Sequence, residues 1–445
     1  MKKIKVCLAT LSFLIPLVSC NNIITDDYIT IYNSEDYINL GIDENGYYSD
    51  NETSVLDDFK SWYKEKTGRT ITVNYATFST NEDIYNQLKL GSIKADLVCT
   101  SDYMIQKMAS ENMVKTFDYD SNKDEYANIP NYNKYASPYI KDLFKKNNLS
   151  IYSIPYTWGT MGFTYNTNFL DEEDLSSWDC MWGSKLKGKV TVKDSVRDTY
   201  FTAVMYVYKD ELLSYKDKYD NEEITAEEYN NALSEIFNRC DDQTLEKCKN
   251  ALISLKKNIY GLEVDDGKTE IVKGTYYASL SWSGDSVYSM DVADEEDEGS
   301  LGYIIPEEGS NVWFDGWVMP NSANTNVANY FLDFLSLPSI AAKNMDYTGY
   351  TSAIAGQDIW DLLVDNYAAD EEDKDYDTYD EVDLSYFFEG TLDEGEEAKI
   401  VVSDRNRQFD AQYPSYDVIT RCAIMKDFGS QTEKLNQMWA DFKAA

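Results

Sequence analysis

The chain has no histidine, about half as many basic as acidic residues, and no long apolar run beyond its first twenty positions. Without an imidazole there is no Ser-His-Asp or Cys-His nucleophile, no His-ligated zinc and no imidazole acid–base catalysis. With 40 Lys+Arg against 79 Asp+Glu the net charge is −39, and no basic run interrupts it. Nucleic-acid binding needs a basic footprint that releases counterions, so that class is excluded. No Cys-x-x-Cys occurs, which leaves metal and thioredoxin-type readings weak. No repeat of about 20–50 residues is visible.

What is present is carboxylate and aromatic chemistry. The 445 residues include 37 tyrosines and 9 tryptophans, with 14% aromatic and 43% hydrophobic content. Acidic disordered chains are poor in aromatics, so this composition describes a packed protein. At roughly 100–200 residues per domain, two lobes are expected.

The first residues, Met1-Lys2-Lys3-Ile4-Lys5 followed by an apolar run to Val18, form a charged n-region and an h-region too short to span a bilayer comfortably. The run ends Leu17-Val18-Ser19-Cys20, which resembles the lipobox of bacterial lipoproteins. That resemblance implies a signal peptide over residues 1–19, lipidation at Cys20 and a short tether over 20–26. An ordinary secretory signal with an incidental cysteine is the alternative. The expected location is extracytoplasmic, on the outer face of the bacterial cell membrane or in the periplasm, held by lipid alone. Five cysteines then remain, Cys99, Cys180, Cys240, Cys248 and Cys422, an odd number that forbids complete pairing. Cys240 and Cys248 could close a small loop, but buried thiols are the expected state.

Along the mature chain, Ile29 to Tyr32 alternates as a strand. Ser54 opens a helix carrying Val55, Leu56, Phe59, Trp62 and Tyr63 on one face, with Gly68 placed as its C-cap. A strand at Ile71, Val73 and Tyr75 follows, then a helix from Thr80 to Leu88 closed by Gly91, then a buried strand at Ala95 to Val98. This alternation predicts a parallel sheet of the α/β class, which binds ligands beyond the carboxyl ends of its strands. A second α/β region starts near Tyr152-Ser153-Ile154-Pro155 and includes Lys189 to Val192. Residues 204–257 read as outer helices of the second lobe, with a helix start at Ile224 to Glu228. The acidic runs 368–375 and 392–397 read as solvated surface. Leu435, Met438, Trp439 and Phe442 predict a last helix docked on the second lobe.

Five segments pair an aromatic with a carboxylate or hydroxyl at the end of a strand: Tyr32 to Tyr37, Thr100 to Tyr103, Lys193 to Asp198, Trp282 to Asp285, and Trp313 to Asp315. One such segment alone reads as a turn or cap beside a packing aromatic. Together they suit an organic ammonium, held on aromatic faces at roughly 0.5–2 kcal/mol each and neutralised by carboxylates. An aliphatic diamine wants an anion at each end and apolar rings between them.

At these segments the chain resembles the spermidine/putrescine-binding proteins, the extracytoplasmic receptors of polyamine ABC transporters, along nearly its whole mature length. The resemblance rests on Tyr32-Asn33 with Asp36-Tyr37, on Ser101-Asp102-Tyr103, on Tyr152 to Thr160 with Tyr165-Asn166, on Trp282-Ser283-Gly284-Asp285, on Pro306 to Asp315 and on Gly349-Tyr350-Thr351. It implies a two-lobed α/β periplasmic-binding fold of type II, with hinge crossovers and the ligand in the cleft. The implied division is 27–156 plus 309–347 for lobe 1 and 157–308 plus 348–445 for lobe 2. The implied pocket is Asp36, Tyr37, Ser101, Asp102, Tyr103, Trp313 and Asp315 from the first lobe, and Asp198, Trp282, Asp285 and Tyr350 from the second. In it Trp282 and Trp313 would sandwich the methylene chain, Asp198 and Asp315 would take the amines, and Asp285 would be a further ammonium partner. Trp158 falls in a crossover segment and is expected to pack. Implied partners are a polyamine and the permease subunits of an ABC transporter; no cofactor, metal or catalysis is implied, and a monomer is expected.

Two departures from the family pattern bear on specificity. Ser34 stands where the family usually has Trp, and Met425 stands where a polar contact is usual. In the third motif a carboxylate found in some relatives aligns with Ser195, leaving Asp198, with Asp194 open. Putrescine or a relaxed preference thus becomes as reasonable as spermidine. Other readings are an exported carboxylate-dependent glycoside hydrolase, a ferric-ion receptor using Tyr276-Tyr277, and a carbohydrate receptor.

Overall fold

In the computed structural model the described residues are 27–41, 53–263, 267–295, 300–369, 379–403 and 406–445. The leader, Cys20 and the tether lie outside them. Helix 55–67 begins where the Ser54 hydroxyl accepts from the Leu56 amide, and it ends where Gly68, at φ +71°, lets its amide reach the Lys64 carbonyl. Thr80 caps helix 81–89 in the same way, and Thr225 with Glu228 forms a capping box for helix 226–237.

The strands in chain order are β1 (Asp27–Ser34), β2 (Ile71–Phe78), β3 (Leu97–Ser101), a small ribbon of β4 (Tyr119–Asp120) and β5 (Glu125–Tyr126), β6 (Ile154–Asn166), β7 (Val190–Lys193), β8 (Gly261–Glu263), β9 (Ala278–Trp282), β10 (Leu301–Ile304) and β11 (Ser310–Val318). The main sheet runs β2-β1-β3-β11-β6-β9-β7-β8. Parallel pairs β1/β2 and β1/β3 build one half and β7/β9 and β7/β8 the other. Thirteen residues long and buried throughout, β6 joins the halves. At about 3.3 Å per residue such a strand crosses from one lobe into the other. Its first part pairs with β11 and its second with β9 and β10. The chain returns through β10 and β11. The expected two-lobed α/β architecture with the cleft at the crossovers is therefore the observed one.

Two large hydrophobic clusters and a small third one divide the interior. The first holds Ile29, Phe59, Leu97, Phe314, Trp317 and Phe331. The second holds Phe163, Trp178, Val190, Phe201, Leu280 and Phe442. Packing departs from the expected division in one respect. Ile354, Trp360, Phe387, Phe388 and Tyr413 join the first cluster, Ala411 joins the small third cluster with Val287 and Met290 of helix 283–295, and the C-terminal chain enters the second cluster at Ala423. The amphipathic pattern of 353–419 specifies a buried face but not which core receives it. Trp158 is fully buried and stacks on Phe387 at 5.5 Å. The last helix, 432–444, buries Leu435, Met438 and Phe442, and its Asp441 pairs with Lys249 at 2.6 Å. Residues 393–397 are exposed. All five cysteines among the described residues are free, Cys240 and Cys248 included.

Candidate functional site

The functional side chains sit where strands end. Just past β1, Asp36 turns the chain at φ +50° and Tyr37 points inward. Ser101 ends β3, and helix 102–110 starts at Asp102. Beyond β7, Ser195 accepts from the Asp198 amide and so caps helix 196–207, which places Arg197 and Asp198 in its first turn. Trp282 ends β9, and helix 283–295 carries Asp285 in its first turn. Three of the carboxylates thus lie at helix N-termini, where the aligned peptide dipoles favour negative charge.

At the first-lobe end the centre is Asp315. The pairing of β11 sets it opposite Ser101 on one side and Thr157 on the other. The Tyr37 hydroxyl donates to Asp315 Oδ2 at 2.7 Å and lies 2.7 Å from Thr157 Oγ1. Ser101 bonds to the same carboxylate and accepts from Asn81 Nδ2 at 2.9 Å. Burial holds the Asp315 acid above the ordinary carboxyl range, against the pull of Ser101 and Tyr37. Among the described residues no lysine or arginine pairs with it.

At the second-lobe end a cation is already in place. Lys193, only 3% exposed in its side chain, lies 3.0 Å from Glu263 Oε1 and 3.2 Å from Asp285 Oδ2. Its Nζ also stands 4.3 Å from the centre of the Trp282 ring. Burial works against this charge, but Asp285 and Glu263 outweigh it and hold the ammonium above the usual lysine range. The other Asp285 oxygen accepts from the Tyr350 hydroxyl at 2.7 Å. Asp198 bonds to the Trp282 indole N–H and to Ser195; burial raises its acid, while Ser195, Lys193 and Arg197 pull it back.

Between the ends lie rings. Tyr350 meets Tyr37 at 5.4 Å and Trp313 at 5.6 Å, both edge to face. Two glycines make this possible. A Cβ at Gly159, directly across from Trp313, would stand 2.6 Å from Trp313 Cζ2, and one at Gly284 would enter the Tyr350 ring. Arg197 closes one side, its guanidinium 4.0 Å from the Tyr103 ring centre and 4.6 Å from that of Phe428. Burial pushes the Asp102 acid up to about 8, although Arg197 and the Tyr103 amide oppose it. Its Oδ2 is buried without a partner.

Comparison with known proteins bears on this cleft. Residues 58–370 match the family of bacterial extracellular solute-binding proteins. The chain belongs to that family. It is 25% identical over 290 residues to the spermidine/putrescine-binding periplasmic protein of Escherichia coli (strain K12), covering 65% of this chain and 71% of that one. A putative spermidine/putrescine ABC transporter protein from Listeria monocytogenes shares the fold with a TM-score of 0.61 at 22% identity, over 94% of this chain and 98% of that one. The Tp0655 lipoprotein of Treponema pallidum does so at 0.61 and 16% identity, over 94% and 99%.

In this solute-binding protein the positions expected to form the pocket, Asp36 excepted, are drawn into one connected array. Tyr37, Ser101 and Asp315 share hydrogen bonds. Trp313, Tyr350 and Asp285 continue the array to Trp282 and Asp198, while Tyr103 and Asp102 join through Arg197. Asp36 is exposed at the rim, close enough to Tyr75 and Tyr347 to act on their hydroxyls. Asp194 faces outward and pairs with Lys443 at 3.0 Å. Met425 is buried, and its carbonyl accepts from Gln106. Asp285, expected to meet a ligand amine, meets the ammonium of Lys193. The sequence reading assigned no role to Lys193, Arg197, Thr157 or Glu263. Lys193 and Arg197 stood inside a motif already singled out, and the signal was a lysine ending a buried β-branched run. Tyr276 donates to the Gly267 carbonyl at 2.6 Å and Tyr277 stacks on Phe169 at 4.3 Å, so this pair is engaged in packing. Among the described residues no group of acids and thiols is arranged to hold a metal ion, and no helix is long and apolar enough to cross a membrane.

Proposed function

We propose that this protein captures a polyamine outside the cytoplasm and delivers it to an ABC importer. The observation that carries the reading is a pair of sequestered carboxylates, Asp198 and Asp315, that have hydrogen-bond donors but no ion pair among the described residues, with the rings of Tyr37, Tyr350 and Trp313 on the Asp315 side and that of Trp282 beside Asp198. Two anions without an ion-pair partner, beside ring edges and faces, recognise a flexible organic dication. The ligand bridges the lobes, and contacts absent from the open form shift the hinge toward closure. The charge of −39 draws cations toward the cleft, an attraction that salt screens over about 8–10 Å. The closed lobes then present a joint surface to the permease subunits. Support comes from the family match and from relatives named for spermidine and putrescine. We assign the leader and Cys20 to lipid anchoring, and the receptor works as a monomer without a cofactor. On packing, we place the boundary of the C-terminal return near Ala423 rather than at 348.

The test is calorimetry with putrescine, spermidine, spermine and an amino-acid control. Saturable binding of at least one polyamine, no heat from the amino acid and no turnover of chromogenic glycosides is the expected result. Glycoside turnover or indifference to every polyamine contradicts it.

A further inference from the structure

We propose that Lys193 is a resident ammonium that fills the second-lobe end of the cleft and makes this receptor select a short diamine over the triamine spermidine. The inference rests on the polyamine reading and narrows it.

An alkylammonium in a protein needs an aromatic face and carboxylates to replace its water. Lys193 has all of these: the Trp282 ring at 4.3 Å, Glu263 at 3.0 Å and Asp285 at 3.2 Å, with 3% of its side chain exposed. Its four methylenes ending in an ammonium match the chemistry of one end of a polyamine. Three rigid elements hold it there. Lys193 ends β7 and pairs in register with Glu263 on β8, while Asp285 is fixed in the first turn of helix 283–295. Lys193 is therefore built into the wall.

The charges divide accordingly. Asp285 and Glu263 are engaged by Lys193, and Asp102 faces Arg197. Asp198 and Asp315 form no ion pair among the described residues, although Lys193 and Arg197 act on Asp198 from nearby, which leaves two carboxylate seats that no side-chain cation occupies. A third ligand charge has to enter beside Nζ of Lys193, where burial leaves like charges poorly screened. A diamine has one ammonium for each open seat and brings no third charge to this end.

Titration calorimetry of the purified protein with putrescine, cadaverine and spermidine tests the idea. Wild type should bind putrescine at least ~10-fold more tightly than spermidine, a difference of ~1.4 kcal/mol or more. Lys193→Met vacates the seat but leaves Asp285 and Glu263, so spermidine should gain at least ~10-fold relative to putrescine. Lys193→Arg keeps the charge and should keep the diamine preference. If Lys193→Met does not fold by thermal melting, Lys193→Met with Asp285→Asn removes one charge of each sign and should narrow the two affinities to within ~3-fold. Equal wild-type affinities, or a ratio that the folded variant leaves unchanged, overturn this inference while the polyamine reading stands. Indifference of the wild type to all three amines overturns both.

Discussion

The two ends of the cleft solve the burial of a carboxylate in opposite ways. At the first-lobe end Asp315 is surrounded by neutral donors, Tyr37 and Ser101, with no cation paired to it among the described residues. At the second-lobe end Asp285 and Glu263 share the ammonium of Lys193. Hydroxyl donors stabilise an anion without cancelling its charge, so the first arrangement stays open to a cationic ligand. A buried ammonium shared by two carboxylates offsets one of their two charges and stiffens the wall instead. Similar residue types thus serve recognition at one end and shape at the other.

The sharpest way to break this comparison is to neutralise each end in turn. Asp315→Asn should cost polyamine affinity at least about 100-fold, because removing one partner of a buried charge pair costs on the order of 2–5 kcal/mol. Asp285→Asn should change putrescine affinity by less than about 10-fold but lower thermal stability, toward the low end of the roughly 3–5 kcal/mol of a broken buried pair, since Glu263 still holds Lys193. Calorimetry and thermal melts on both variants check the contrast, and matching effects of the two would erase it.

A smaller effect should follow from Gly159→Ala, whose methyl would stand 2.6 Å from Trp313 Cζ2. Displacing that ring should weaken binding about 10-fold, the scale of one aromatic wall, with little change in the melt of the first-lobe core. Unchanged affinity would remove Trp313 from the wall.

The pH dependence sharpens the comparison further. Burial raises the acids of Asp198 and Asp315 and pushes that of Asp102 up to about 8. A carboxyl raised in the fold favours the folded state at low pH, and this contribution is lost as pH rises from the ordinary carboxyl range through the raised value. Ligand binding has the opposite sign: a dication demands ionised carboxylates, so it expels protons, and affinity should fall as pH drops through the raised values. Calorimetry of putrescine in buffers of different ionisation heat should show proton release near neutral pH, smaller in Asp102→Asn. The absence of release in the wild type contradicts this scheme.

Much of the receptor was legible before any coordinates. Ser54 with Gly68, and Thr80, mark helix ends by local hydrogen bonding alone, so their segments were readable in isolation. Trp282, Trp313, Asp198 and Asp315 stood out because an aromatic beside an acid recurs at strand ends. Lys193 did not, since a lysine followed by Asp194 reads as a solvated pair. In the fold Asp194 turns out to Lys443, and Lys193 turns in to Glu263, seventy positions along the chain. The docking of Ile354, Trp360, Phe387 and Tyr413 on the first cluster was equally hidden, because helical periodicity reveals an apolar face but not its partner.

The sequence by itself determined the α/β alternation, the acidic and aromatic chemistry, and the exclusion of imidazole and nucleic-acid functions, because these follow from composition and from interactions within a few residues. Only the tertiary structure decided which acids remain without a cation. Ion pairing in a buried cleft depends on distances of a few ångströms between segments far apart in the chain, and strand register sets those distances.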